Sequence, residues 1–524
     1  MSSATEPQFH DLPKSEVVNY EEVAHDLDIP SKITKEDAVH LSHLTEEEKI
    51  LEKQLRRKID ILIMPLVILV YLMNYIDRNN YAAAKLQGLE KDLGLTGEQY
   101  QLGMSILYVS YVLMQVPSNA LLNLSGRPSW YLGFFVIAWG LVSCVTSQVK
   151  NPGHIIACRF ILGLIEAPWF PGVLFYLSKW YTKSELNFRM SIFYSGALLS
   201  GAFGNLMAAG ILHGLNGHRG LAAWQWLYII EGSVTMFIGV IIIFVLPDFP
   251  HTWKALSPEM RTLANRRMAL DASEADLDEA GGMSQLRGMK LAFTDPKTYI
   301  LAIAYHCQTG AAGFQNFFPT LTKTLIKDNN TLALLLVAPP YIFMVVWSFW
   351  HGELSDKLRH RFWFYMYPIA LVIPGALIFM FASSFGPRYF SLFLLAFIFT
   401  MNGTLYAWIA NAIPRPPAKR AAALAFINSV GNAASIWTPF TYSPQDAPYY
   451  REAMGINIGL TVFTGVCAII LRFYLQYENK QRERMEDVDV QLTEKEIRRL
   501  QRTADMEGID IAAARQLQKG YRYV

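Results

Sequence analysis

Apolar stretches long enough to cross a lipid bilayer recur along most of this chain, and they constrain its fold more than any other feature. A helix needs about 20 mainly apolar residues to traverse a hydrocarbon core of about 30 Å. Such stretches begin with Asp60 to Ile76 and recur near 100 to 123, 130 to 149, 154 to 177, 187 to 212, 224 to 246, 297 to 320, 331 to 350, 363 to 383, 388 to 412, 420 to 440 and 453 to 475. Inside a bilayer every backbone polar group must be bonded within the protein, so segments like these fold as helices. The expectation is an all-α membrane protein with about twelve transmembrane helices. Composition agrees: 17% of residues are charged, against about 25% in soluble domains.

A long polar segment, Pro247 to Pro296, separates the sixth stretch from the seventh and divides the chain six and six. It carries Arg261, Arg266, Arg267 and the acidic run Asp271 to Glu279. The predicted organisation is a cytosolic tail at 1–58, a six-helix bundle at 59–247, a cytosolic central loop at 248–296, a second six-helix bundle at 297–476 and a cytosolic tail at 477–524. Lys and Arg next to the stretches favour one side: Lys53, Arg56, Arg57 and Lys58 before the first, Lys179, Lys183 and Arg189 after the fourth, and Lys480, Arg482 and Arg484 after the last. By the positive-inside rule both termini are expected in the cytosol, with the plasma membrane as the expected site. The first 58 residues show no short apolar core behind a basic start, so the first membrane helix is expected to direct insertion. Thr45 with Glu48, and Thr493 with Glu496, read as capping boxes. Asn329-Asn330-Thr331 is a sequon, which makes Asn329 a candidate for glycosylation.

A formal net charge of +2 gives no reason to expect nucleic acid. Cys144, Cys158, Cys307 and Cys467 all fall in apolar stretches, far apart and without metal-ligand spacing, and read as small buried hydrophobes. No nucleophile, metal or phosphate-loop constellation appears, so an enzyme is not expected and neither is a cofactor or a metal.

The informative residues are charges at membrane depth. Each costs roughly 2.5–3.5 kcal/mol on insertion scales, so such residues mark paths for ions or substrates more often than packing. Arg159 and Glu166 both lie in the fourth stretch, seven residues apart. That spacing is about 700° of helical rotation and roughly 10 Å along the axis, so they share a face without touching. Each needs a partner from another helix or from a cavity. Asn74-Tyr75-Ile76-Asp77-Arg78 at the end of the first stretch offers one.

Polar and aromatic residues in other stretches are further candidates for a binding pocket: Asn74 and Tyr75 in the first, His306, Gln308 and Asn316 in the seventh, Tyr406 in the tenth, Asn428 and Asn432 in the eleventh. For any of them helix-to-helix hydrogen bonding is an equal reading. Between the eighth and ninth stretches the run Gly352-Glu353-Leu354-Ser355-Asp356-Lys357-Leu358-Arg359-His360-Arg361 reads as a loop, with Gly352, Asp356 and Arg361 as gating candidates. Prolines within stretches, such as Pro65, Pro168 and Pro374, suit helices that bend.

These residues together resemble a known family. Twelve spans split six and six, with Gly-x-Leu-x-Asp and a following Arg between spans eight and nine, look like the major facilitator superfamily. Asp77-Arg78-x-Asn80 and Arg159-Phe160-x-x-Gly163-x-x-Glu166-Ala167 resemble its anion:cation symporter branch. Ala423-x-Ala425-x-Ile427-Asn428-Ser429-x-Gly431-Asn432 resembles the fungal allantoate and nicotinate permease group. The chain departs from the pattern after span two, where Ser125-Gly126-Arg127-Pro128 lacks the superfamily's acid. The resemblance implies a major facilitator fold of two six-helix bundles with the substrate between them. It further implies a monomeric secondary transporter importing a small organic anion with protons, by alternating access across the lipid bilayer. Asp77 and Glu166 match positions that take part in proton coupling; Arg78 and Arg159 match positions associated with substrate binding. All four are expected to form one site. A proton antiporter exporting an organic compound and a non-transporting nutrient sensor are the rival readings.

Overall fold

The computed structural model describes residues 46–125, 127–250, 253, 256–277, 285–326, 329–358, 360–413, 417–486, 497 and 501. Thr45, Thr493 and Glu496, and with them both proposed capping boxes, lie outside the described residues. Among the described residues, twelve helical passes follow one another. In the first half span one is Glu46–Leu86, span two Gly97–Ser125, span three Pro128–Thr146, span four Pro152–Glu166 continued by Trp169–Ser178, span five Lys183–Leu215 and span six Ala223–Val245. In the second half span seven is Pro296–Ala311 continued by Phe318–Lys323, span eight Asn330–Leu335 continued by Ala338–Leu358, and span nine Arg361–Phe381. Span ten is Phe385–Ala396 continued by Met401–Ala412, span eleven Pro417–Trp437 and span twelve Arg451–Glu486. Among the described residues nine helices are long and apolar enough to cross a membrane by length and composition, and no strand occurs among the described residues.

The breaks have local causes. Span four stops at Glu166 and restarts at Trp169 around Pro168, which has no N–H to donate to the preceding turn. Pro65 instead lies inside the unbroken helix of span one. The expected loop between spans eight and nine is largely helical: Gly352 to Leu358 form the end of one helix and Arg361 begins the next. Leu354 and Leu358, the apolar residues of this run, lie four apart and share a helix face, so the polar residues between them continue the helix. The polar segment between the halves also forms helices, Pro258–Leu277 and Gln285–Thr294.

Small residues set the closest helix contacts. In spans three and six, Gly140 and Gly232 face each other so tightly that a Cβ built on Gly140 would lie 2.8 Å from the Gly232 carbonyl oxygen. This is the small-residue packing that replaces hydrophobic drive inside a bilayer. It fixes the register of span six against span three.

The two halves are bonded to each other at the end remote from Glu46 and Glu486. Gln101 donates to the Tyr442 carbonyl at 2.9 Å, Ser105 to the Ile436 carbonyl at 2.5 Å and Asn330 to the Leu86 carbonyl at 2.7 Å. Toward the other end each half has its own ion network. Arg267 of the central helix reaches Glu185 at 2.8 Å and Glu52 at 3.3 Å, and Arg189 makes two bonds of 2.7 Å to Asp60. In the second half Lys297 meets Glu478 at 3.0 Å and Lys419 meets Asp295 at 2.7 Å.

Candidate functional site

Span one supplies Asn74, Asp77 and Arg78, the last two adjacent in sequence, and a helix separates neighbouring side chains by about 100°. That rotation divides the expected four-residue site in two. Asn74 and Arg78, one turn apart, both donate to the same oxygen of Glu166 in span four, and Glu166 is buried. Asp77 points elsewhere, into the first bundle. It accepts from Trp139 of span three at 2.9 Å, from Ser143 of span three and Thr235 of span six at 3.4 Å each, and from Asn80 at 3.5 Å.

The Arg78 guanidinium is held between aromatic faces, 4.6 Å from the Tyr111 ring centroid and 5.4 Å from that of Tyr75. The negative face of such rings attracts the cation, so Arg78 keeps a favourable environment whichever way its carboxylate partner moves. Gly163, one turn before Glu166, is where spans two and four touch: a Cβ there would overlap Ser110 and the Leu107 carbonyl. Its place in the motif is thus geometric, bringing the Glu166 backbone against span two.

Arg159 does not contact Glu166, in keeping with their spacing along the helix. Its Nε donates to the Gly103 carbonyl at 3.3 Å and its guanidinium lies 4.7 Å from the Tyr81 ring centroid. The residue is buried, and its Nη1 has no hydrogen-bond partner. Arg159 and Arg78 line one small cavity together with Asn79, Ala82, Met104, Tyr108 and, from the second half, Asn316. The two arginines, placed by different helices, thereby open on the boundary between the halves.

The other candidates occupy the second half. The Tyr406 hydroxyl donates to Asn428 at 3.0 Å and is bonded to the Tyr305 hydroxyl at 3.1 Å, and Asn432 donates to Asn428 at 3.2 Å. His306 is engaged through both ring nitrogens, with the Val430 carbonyl at 2.8 Å and the Trp437 indole at 3.2 Å. Gln308 is buried, bonded to Asn402 at 2.5 Å and to Tyr365 at 2.8 Å. His306 and Gln308 therefore tie helices of their own half together. Arg361 donates to Ser355 at 2.8 Å, Gly352 faces open space, and the Asp356 side chain lies outside the described ones. Asn329 is exposed and caps the helix Asn330–Leu335 by accepting from the Leu332 N–H at 2.9 Å. Among the described residues no group of three or more His, Cys, Asp or Glu could hold a metal ion.

Sequence reasoning passed over Glu231 of span six, which is wholly buried. The signal was present, because Glu231 is an isolated acid inside an apolar stretch, like Glu166.

A family model described as Major Facilitator Superfamily matches residues 67–439. The MFS-type transporter cnsO of Penicillium expansum is 32% identical over 455 residues, covering 84% of this chain and 86% of its own. The MFS-type transporter efuF of Hormonema carpetanum is 30% identical over 456 residues, covering 85% and 89%. The fold matches a bacterial homolog of the human lysosomal transporter Spinster, in an inward-facing and unoccupied conformation, with a TM-score of 0.61 at 14% identity, over 82% of this chain and 97% of that one.

Proposed function

The chain belongs to the major facilitator superfamily and is a multi-pass membrane transporter, and on that premise we propose that it imports a small organic anion together with protons by alternating access. One observation carries this reading. Arg159 is buried with a free Nη1, has no carboxylate within ion-pair distance among the described residues, and opens on a cavity shared by both halves. A buried guanidinium is costly without an anionic partner, and a carboxylate is the planar, two-oxygen group that fits its fork. The proposed cargo is a carboxylate such as nicotinate, allantoate or pantothenate.

In this scheme the substrate carboxylate docks on Arg159 and competes for Arg78, which now serves Glu166. Glu166, losing its cation, takes a proton in exchange. The loaded site is then closer to neutral, and the halves rock about it. Asn316 and the Tyr406–Asn428–Asn432 cluster supply the neutral polar wall opposite. In this reading both termini lie in the cytosol of a plasma-membrane protein, and the bonded end faces the outside.

The test is uptake of labelled carboxylates at pH 5 and pH 7 by cells expressing the protein. Acid-stimulated accumulation that Glu166→Gln abolishes supports the scheme. Accumulation by Glu166→Gln against a gradient, with unchanged pH dependence, would overturn it. Reduced cellular content of the compound would instead identify an exporter, and a growth response without uptake a sensor.

A further inference from the structure

The coupling scheme uses Glu166 alone and leaves two buried acids of the first bundle, Asp77 and Glu231, without a role. Glu231 has no exposed surface, and neither carboxylate oxygen has a hydrogen-bond partner. Its position is fixed on both sides. Gly232 locks against Gly140 and Cys144 of span three, and Thr235, one turn on, donates to Asp77. The Asp77 and Glu231 carboxyls are near enough to interact electrostatically. Trp139 and Ser143 close the far side of Asp77, so the pair is enclosed by spans one, three and six.

The surroundings lead back to the cavity. Tyr228, one turn before Glu231, interacts with Glu231, Asp77, Arg159 and Cys158. Its hydroxyl is buried without a hydrogen-bond partner, as are the Tyr81 hydroxyl and Arg159 Nη1. Asp77 of span one and Tyr228 on its own helix are the titratable groups facing Glu231, with Cys144 of span three next to Asp77, and Cys158 and Arg159 of span four and Tyr81 of span one next to Tyr228. No cation bonds either acid among the described residues, and Arg159 stands on the cavity side of Tyr228.

Two carboxylates enclosed together without a cation cannot both be ionised at modest cost, and an unbonded buried charge is worse still. We propose that Glu231 and Asp77 form a proton-binding dyad, with Glu231 as a second exchangeable proton site behind the substrate cavity. Loading moves one proton from water to a carboxyl oxygen, forming one O–H bond, and unloading reverses this; no electron is transferred. The link from the dyad to uptake rests on the proposed symport, whereas the proton site does not.

The test uses full-length protein in nanodiscs and reads the carbonyl stretch of protonated carboxyl groups by infrared difference spectroscopy between pH 8 and pH 5, in an E166Q background. The expected result is a buried carboxylic-acid band that shifts with carboxyl-¹³C-glutamate labelling and disappears in E231Q. In D77N the band is expected to persist with an altered frequency. A glutamate-derived band that survives in folded E231Q, or no such band in labelled E166Q protein, overturns the dyad. If E231Q does not elute as a monodisperse species, the labelling experiment and E231D decide, the latter expected to move the band out of reach of the glutamate label. Acid-driven carboxylate uptake with no Glu231 band would sink the dyad and leave the transport reading standing. A Glu231 band in a protein that moves no carboxylate would do the reverse.

Discussion

The Arg78–Glu166 pair can be weighed by a double-mutant cycle of Arg78→Met and Glu166→Gln. Both atoms of the contact are enclosed, with side-chain exposures of 13% and 2%. Glu166 has little else: Asn74 donates to the same oxygen, and the second oxygen has no partner. Arg78→Met therefore leaves a buried carboxylate supported by one amide, at a cost of about 3–5 kcal/mol. Glu166→Gln is milder, because Arg78 keeps the Tyr111 and Tyr75 rings, and such contacts contribute roughly 0.5–2 kcal/mol each. The double variant leaves neither member of the pair behind as an unpaired charge. It should be less destabilised than the sum of the single changes by about 2 kcal/mol, inside the usual range for residues in contact. The assay is chemical unfolding of the purified protein in detergent micelles, followed by tryptophan fluorescence and compared at one denaturant concentration. Additivity within about 0.5 kcal/mol would refute the reasoning, since that is the behaviour of independent sites.

Gly163→Val should disrupt the contact of span four with Leu107 and Ser110 and cost about 1–3 kcal/mol as overpacking, read as lost monodisperse protein after heating; unchanged heat resistance would mean that spans two and four are not this close. Arg267→Met removes the bonds to Glu185, Glu52 and the Trp180 carbonyl and should cost roughly 1.5–3 kcal/mol, whereas equal stability would exclude the central helix from the folded unit. Trp139→Phe deletes the closest donor to Asp77. Because hydrogen bonds to charged groups contribute roughly 1.5–3 kcal/mol and neutral ones about 1, the loss should be larger at pH 8 than at pH 5, and equal losses would show that Asp77 keeps one protonation state across that range.

The number of passes and their division were legible in the sequence, because a bilayer permits few alternatives to a run of about 20 apolar residues. The neighbourhood of Glu166 was legible in part. Helical spacing showed that Arg159 could not be its partner, and span one held the nearest cation. What spacing along single helices could not show was rotation between helices. Asp77 is adjacent to Arg78 in sequence yet faces Trp139 and Thr235 instead of Glu166. Nor did the polar run from Gly352 to Arg361, read as a loop, reveal that most of it is helix. Both outcomes depend on which neighbour packs against which face, and the Gly140–Gly232 contact that decides it for span six joins residues 92 positions apart.

The distribution of charge between the halves has a consequence for how such a protein moves. Arg78, Arg159, Glu166, Asp77 and Glu231 all belong to the first half, while the second half offers Asn316, Tyr406, Asn428 and Asn432. A wall of neutral amides and phenols can follow a bound ligand without carrying a charge of its own through a change of solvation, and desolvating a charge is the costly step in a low-dielectric site. The first half can therefore keep its ionic chemistry enclosed while the second half closes and opens against it. In the proposed alternating access, rocking alters the contacts at the remote end, Gln101 with Tyr442 and Asn330 with Leu86, and leaves intact the ion networks that each half keeps to itself at the other. Those networks bind helices within one half, as Lys297 does with Glu478 and Arg189 with Asp60. Each half is in this way suited to move as a rigid body, with its ionic interactions carried along unbroken.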